Sequence, residues 1–463
     1  MEKLLGYFWT KFSEVENRLG FQVNKNDNID GRWLILGLLI LYFGFLLAGS
    51  QFMPYSKFWA FLGVPSLQPS FIDLREVLAG FDCTRLGFDV FLHDPCAVAA
   101  GGNEFGGGNP NQQMPYPRAW WWFTFLGLSQ TQTVGIGIFL SILFYALVLV
   151  FLGRISTIEG AFYSLFLCSP PIMLLVERGN ADIILFILIT GSVCLSRVFS
   201  WNLVRWISYP ILFLTAALKL FTVFGFLLVL KERKNLFFLI SAILIFAFVW
   251  YYYSIYEEVG MIQRYFSATH LREKHSFGYR VIFICLPKFF SNPALHSSLK
   301  NKILLAVWFP IVLSYFVLIA IGFKALIASL FSKIKQKASI FFIGQSKKEL
   351  VGTSFDAFRI GAGIYLGSFV MGWNYDYKLC FWLLCLPVLF QWIKKGHWLA
   401  KASVFALFAV LFSLYVSIAT LSTGGLDEFA NWYLFGFFMI GLLASLQYWI
   451  KRAMNQIVSC LLY

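Results

Sequence analysis

Residues 206–230, WISYPILFLTAALKLFTVFGFLLVL, run apolar for 25 positions apart from Lys219 near the centre. As one helix the stretch is long enough to cross a bilayer, but it would hold Lys219 at mid-depth, where a lone ammonium costs roughly 2.5 kcal/mol or more. As two short segments, 206–218 and 220–230, it turns at Lys219 and brings that side chain to a surface. The choice sets the sidedness of everything downstream. One span places Lys231, Arg233 and Lys234, and later Lys324, Lys333, Lys335, Lys337, Lys347 and Lys348, outside; two half-spans place them all inside. Lys and Arg accumulate in loops that stay cytoplasmic, so the stretch is read as a broken or re-entrant pair with Lys219 near the outer surface. Such a break needs other helices or a wet cavity to satisfy the interrupted backbone.

Composition puts the chain in a membrane. Of 463 residues, 59% are hydrophobic and 13% charged, whereas a soluble domain runs nearer half apolar and a quarter charged. An ordinary soluble enzyme and a disordered chain are both excluded. Residues 1–31 are polar and read as a cytoplasmic N-terminus. The run 33–50 lacks a following cleavage pattern and is expected to be a retained first helix. Residues 51–118, rich in Gly, Pro, Asn and Trp, form a large first extracytoplasmic loop. Apolar runs recur near 133–153, 158–176, 181–196, 236–254, 303–323, 355–372, 379–391, 399–420 and 431–449, with a second extracytoplasmic loop at 255–302. The expected fold is a single all-α polytopic integral-membrane domain of about 12 segments, with both termini cytoplasmic, in a bacterial plasma membrane. With that topology the inner segments hold 23 Lys and Arg against 9 acids and the outer segments 14 against 14. The net charge of +14 therefore orients the chain and needs no nucleic-acid partner.

Several outer groups are candidates for chemistry. Phe71-Ile72-Asp73-Leu74-Arg75-Glu76-Val77-Leu78-Ala79-Gly80 has helical apolar spacing that puts Asp73 and Glu76 on one face with Arg75 turned away. An acid there can act as general base on an incoming hydroxyl, or belong to a solvated helix face. Glu177-Arg178-Gly179-Asn180-Ala181-Asp182 packs four polar groups into one short connection. Arg178 can fork onto a phosphate; a plain turn, with Asn180 as N-cap and Asp182 near the next helix's N-terminus, is the other reading. Lys219 either meets a phosphate or snorkels at a helix end. The loop 255–302, with Glu257, Glu258, Arg264 and His275, is a lid, an acceptor site or a solvated connector. Asn374-Tyr375-Asp376-Tyr377-Lys378 and Asp427-Glu428 read as late outer turns. Tyr116-Pro117-Arg118-Ala119-Trp120-Trp121-Trp122 reads as an interfacial belt, although such rings also stack on sugars. Cys83 and Cys96, 12 residues apart in the loop, pair as a disulfide if that side is oxidising, or remain two thiols. No Cys or His spacing points to zinc, no phosphate-cradling Gly-rich loop is present, and no cofactor is expected.

Asp73 in its helix, Tyr116-Pro117-Arg118-Ala119-Trp120, Arg178-Gly179-Asn180-Ala181-Asp182 and Ala216-Ala217-Leu218-Lys219 together resemble the multispanning GT-C glycosyltransferases. Within them, the chain is most similar to the GT87 polyprenyl-phosphate-mannose-dependent mannosyltransferases and their bacterial relatives. The resemblance spans roughly 70–230, with an echo at Asn374-Tyr375-Asp376-Tyr377-Lys378-Leu379. It implies a polyprenyl-phosphate-linked sugar donor, a glycolipid or glycan acceptor, transfer on the outer face and inversion at the anomeric carbon. By the same resemblance Asp73 is the base and Lys219 binds the donor phosphate. Relatives often carry a Pro two or three positions after this Lys, where Leu220-Phe221-Thr222 stand here, and the doublet of acids that some members have is missing beside Asp73. Competing classes are an O-antigen ligase or polymerase, whose dominant loop comes late in the chain, and a lipid-linked sugar flippase, which predicts inverted repeats.

Overall fold

The computed structural model describes residues 30–66, 68–91, 116–198, 202–268, 276–278, 353–371, 374–419, 426–447 and 449–450. Over these the chain is a bundle of helices: α1 (Gly31–Phe52), α2 (Tyr55–Phe61), α3 (Ile72–Arg85), α4 (Thr133–Leu152), α5 (Thr157–Leu167), α6 (Pro170–Arg178), α7 (Asp182–Val198), α8 (Asn202–Leu218), α9 (Lys234–Ser254), α10 (Tyr256–Ala268), α11 (Thr353–Met371), α12 (Leu386–Lys394), α13 (Trp398–Ala419) and α14 (Leu426–Ala444). Four 3-10 segments join them, Arg118–Leu126, Gln130–Gln132, Leu220–Lys231 and Asp376–Leu384.

Gly31–Gly49, Gln130–Leu152 and Lys234–Ser254 are long and apolar enough to cross a membrane, and two bent pairs make five. Their outward faces are greasy: Phe246, Trp250 and Tyr253 of α9 are all exposed. Unlike a soluble helix, such a span carries its apolar side chains all round. The expected span 303–323 lies outside the described residues.

Two expected single runs are corrected to broken ones. The run 158–176 is α5 and α6, bent by 53° where Pro170 and Pro171 open α6. Proline fits the first turn of a helix but cannot continue the preceding one, because it has no N–H to donate. Similarly, the run 379–391 divides into Asp376–Leu384 and α12 at a 55° bend, with Pro387 in the first turn of α12.

The stretch around Lys219 breaks where expected. Helix α8 ends at Leu218, Lys219 is extended at φ −148° and ψ 110°, and the chain continues as a 3-10 helix from Leu220 to Lys231. Free carbonyls at such a helix end need donors. Tyr251 Oη donates to Ala217 O at 2.8 Å and Trp120 Nε1 donates to Leu218 O at 3.0 Å. The 3-10 segment lies tight along α11; a Cβ on Gly367 would overlap the Phe224 ring.

At the far end of this segment lies a partly buried ionic lock. Lys231 Nζ meets Asp356 Oδ2 at 2.9 Å, and Arg359 Nη1 meets Asp356 Oδ1 at 3.0 Å. Arg359 Nη2 also donates to Ser445 O at 2.6 Å, and Tyr209 Oη donates to Glu232 Oε1 at 2.8 Å. The lock joins α8, α11 and the C-terminal end of α14 at the end of the bundle remote from Lys219.

Three further expectations are corrected. Asn374-Tyr375-Asp376-Tyr377-Lys378 is not a plain turn: in an otherwise mostly helical chain, Asn374–Tyr375 (β2) pairs antiparallel with Ser276–Phe277 (β1), with Ser276 opposite Tyr375 and Phe277 opposite Asn374. Phe277 is buried and stacks on Tyr365 at 5.6 Å, so apolar anchoring accompanies this short ladder. Asp427-Glu428 is no turn, because α14 begins at Leu426 and buries Glu428 in its first turn. The Tyr116 to Trp122 run is only partly a belt. Trp122 is exposed, but Tyr116 and Trp120 are buried, since the Trp120 N–H is spent on the end of α8.

Candidate functional site

Helix α3 places Asp73. Its apolar positions Leu74, Val77, Leu78 and Phe81 recur at helical spacing and are buried, which leaves Asp73 in the first turn at the rim of that face. The helix enters through Phe71, which has a left-handed φ of 59° and donates its N–H to Glu177 O at 2.9 Å. That bond fastens the start of α3 to the end of α6.

Helix α6 ends in a tight reversal. Gly179 has φ +58°, its N–H donates to Val176 O at 3.0 Å, and Asn180 N donates to Leu175 O at 3.1 Å. Glycine closes helices this way because a Cβ is strained at positive φ. Here space is short as well: a Cβ on Gly179 would sit 3.0 Å from Phe71 Cβ and 3.1 Å from Leu74 Cβ. Gly179→Val is expected to destabilise by about 1–3 kcal/mol and to push α3 off the reversal; a wild-type unfolding midpoint in detergent would count against this.

The reversal delivers three polar side chains to one place. Asn180 Nδ2 donates to Asp73 Oδ2 at 2.5 Å, and Asn180 Oδ1 accepts from Lys219 Nζ at 2.9 Å. The same oxygen accepts from Asp182 N at 3.0 Å, so Asn180 does cap α7 and also bridges Asp73 to Lys219. Lys219 Nζ meets Asp182 Oδ1 at 2.7 Å. Arg178 Nη1 stands 3.5 Å from Asp73 Oδ1, and its Nη2 donates to Pro65 O at 3.2 Å. Arg178 Nε is 3.6 Å from Glu177 Oε2, while Tyr55 Oη donates to Glu177 Oε1 at 2.9 Å. Exposure separates the two acids: the Asp182 side chain is sealed at 0%, whereas Asp73 at 16% and Arg178 at 22% remain reachable.

Aromatic rings wall the ammonium. Lys219 Nζ lies 5.4 Å from the Tyr116 ring centroid and 5.5 Å from that of Tyr377, distances at which a ring face attracts a cation. Burial first, then the Asp73 and Glu76 carboxylates, hold the Tyr116 phenol well above its ordinary range, so it stays protonated as a donor. Beside Tyr377, Lys378 Nζ donates to Asn374 Oδ1 and stands 4.1 Å over the Phe221 ring. The β1–β2 pairing ties residues 276–277 of the expected second loop to this wall.

The expected candidates Asp73, Arg178, Asn180, Asp182 and Lys219 are thus brought together, and Glu76 lies within electrostatic reach of Tyr116. Arg264 is on α10 with its side chain outside the described portion, and His275 lies outside the described residues. Cys83 is disulfide-bonded, and Cys96 lies outside the described residues. Tyr116, Tyr377, Lys378 and Asn374 also belong to the site, although their residue types read equally as belt or turn; their signal in the sequence is that Tyr116-Pro117-Arg118-Ala119-Trp120 and Asn374-Tyr375-Asp376-Tyr377-Lys378-Leu379 are among the stretches that resemble the GT-C enzymes. Among the described residues no three His, Cys, Asp or Glu side chains are arranged to hold a metal ion. Compared with known proteins, the chain matches no family model, no curated protein and no solved structure.

The arrangement has a definite chemical capacity. A reachable carboxylate is oriented by an amide and faces a guanidinium, and the same amide leads to an ammonium held by a second, sealed carboxylate. Such a site can take a proton at one end and stabilise developing negative charge at the other.

Proposed function

We propose that the protein is a membrane glycosyltransferase that moves a mannose-like hexose from a polyprenyl-phosphate donor to a hydroxyl of a glycolipid or glycan, with inversion. The observation that carries this reading is the continuous chain Asp73, Asn180, Lys219, Asp182, with Arg178 against Asp73. In the proposed step the Asp73 carboxylate takes the acceptor hydroxyl's proton. The hydroxyl oxygen bonds to the anomeric carbon as the bond from that carbon to the phosphate oxygen breaks, and polyprenyl phosphate leaves. Lys219 and Arg178 neutralise the charge that grows on that oxygen. The finer topology belongs to the same proposal: about 12 segments in a bacterial plasma membrane, with the site on the extracytoplasmic face.

The direct test supplies labelled polyprenyl-phospho-sugars to membranes with and without the protein and follows lipids and glycans by mass spectrometry. A labelled product that depends on the protein is expected; its absence across hexose donors would overturn the reading. Lys219→Ala should raise the apparent donor KM by about ten-fold or more, the worth of one charge-assisted contact. An unchanged donor dependence would remove Lys219 from the phosphate.

A further inference from the structure

Lys378 is a lysine without a carboxylate of its own. Asp73 faces Arg178 and Asp182 holds Lys219. By contrast, Lys378 Nζ is bonded to the neutral amide oxygen of Asn374 and covered on one side by Phe221. No carboxylate of the described residues stands within ion-pair distance of it. The charged groups that act on it are Asp182 and Lys219, and Asp182 is already paired with Lys219 at 2.7 Å. Its backbone adjoins Tyr377, the ring that walls Lys219. The amide that holds Lys378 is itself fixed, because Asn374 Nδ2 donates to Ser368 O and Asn374 belongs to the β1–β2 pair. A partly desolvated ammonium kept on a neutral acceptor gains strongly when an anion arrives, since charge-assisted bonds are roughly twice as strong as neutral ones.

We infer that Lys378 is the second lysine of the donor site, placed with Lys219 so that both ammonium groups hold the phosphate of a polyprenyl phosphate. This rests on the proposed function and adds to it a specific role for the Asn374–Lys378 segment. Donor binding transfers Lys378 Nζ from Asn374 Oδ1 to a phosphate oxygen, which supplies the anionic partner it lacks. During transfer the same contact strengthens as the phosphate gains charge. Lys219 and Lys378 come from different elements, the end of α8 and the 3-10 segment Asp376–Leu384, so the phosphate would also clamp those two elements together.

The test uses the purified full-length protein in detergent with two probes, undecaprenyl phosphate and undecaprenol, which differ only in the phosphate. Wild type is expected to bind the phosphate in preference to the alcohol. Lys378→Gln keeps a hydrogen-bonding partner for Asn374 and removes the charge; it should lose about ten- to a hundred-fold of that preference. Lys378→Met, which keeps the apolar stem over Phe221, should do the same, and Lys378→Arg should retain most of it. The ratio between the two probes is unaffected by a merely structural role, and the Met variant serves if the Gln variant does not fold. Should wild type discriminate and both neutral variants discriminate equally well, the inference about Lys378 fails while the proposed function stands. No discrimination by wild type would overturn the polyprenyl-phosphate reading, and this inference with it.

Discussion

Asp73→Asn is expected to reduce sugar transfer by at least about a hundred-fold, the lower range of general-base catalysis, while the protein still accumulates in membranes and unfolds at its usual temperature. Asn is nearly isosteric with Asp, so its amide oxygen can still accept from Asn180 Nδ2 and the start of α3 keeps its place. What disappears is the ability to receive a proton. The attraction to Arg178 at 3.5 Å is also lost, but at 22% exposure the guanidinium keeps water and its bond to Pro65 O. Labelled transfer in membranes, normalised to protein, is the measurement. Wild-type turnover would show that Asp73 is not the base.

Asp182→Ala is expected to act on the fold as well as on the reaction. The side chain is fully sealed and holds Lys219 at 2.7 Å. Removing one member of a buried pair commonly costs about 3–5 kcal/mol because the other charge is stranded. Lys219 retains Asn180 Oδ1 and is 14% exposed, so the low end, about 3 kcal/mol, applies. The unfolding midpoint in detergent should fall, and Lys219→Met introduced into the same background should restore part of the loss, since the stranded ammonium is then gone. A single variant with the wild-type midpoint, or a double variant less stable than the single, would mean that the pair does not hold the site.

Much of this was visible in local sequence. The helix over Asp73 follows from apolar spacing and extends to Arg85 as α3. The break at Lys219 follows from the cost of a charge at mid-bilayer and stands where the backbone turns extended. The dual role of Asn180 was half visible: its capping of α7 is a local rule, whereas its bridge from Asp73 to Lys219 is not. The two bends at Pro170 and Pro387 were missed because an apolar run looks continuous to hydropathy even where the backbone cannot be. The burial of Tyr116 and Trp120 is not legible, since composition does not distinguish an indole facing lipid from one donating to a helix end.

From the chain alone come the membrane setting, the helical class, the break at Lys219 and the acid-bearing helix, because each depends on burial and charge within a few turns of one segment. The meeting of Asp73 with Asn180, 107 residues apart, and of Lys219 with Asn180, 39 apart, was decided by tertiary packing. So was the placing of Tyr377 and Lys378 beside them. Hydrogen bonds and ion pairs act over a few ångströms and specify position to that precision. The close seating of α3 on Gly179, and of the Leu220–Lys231 segment on α11, is part of the packing that brings these groups within reach of one another.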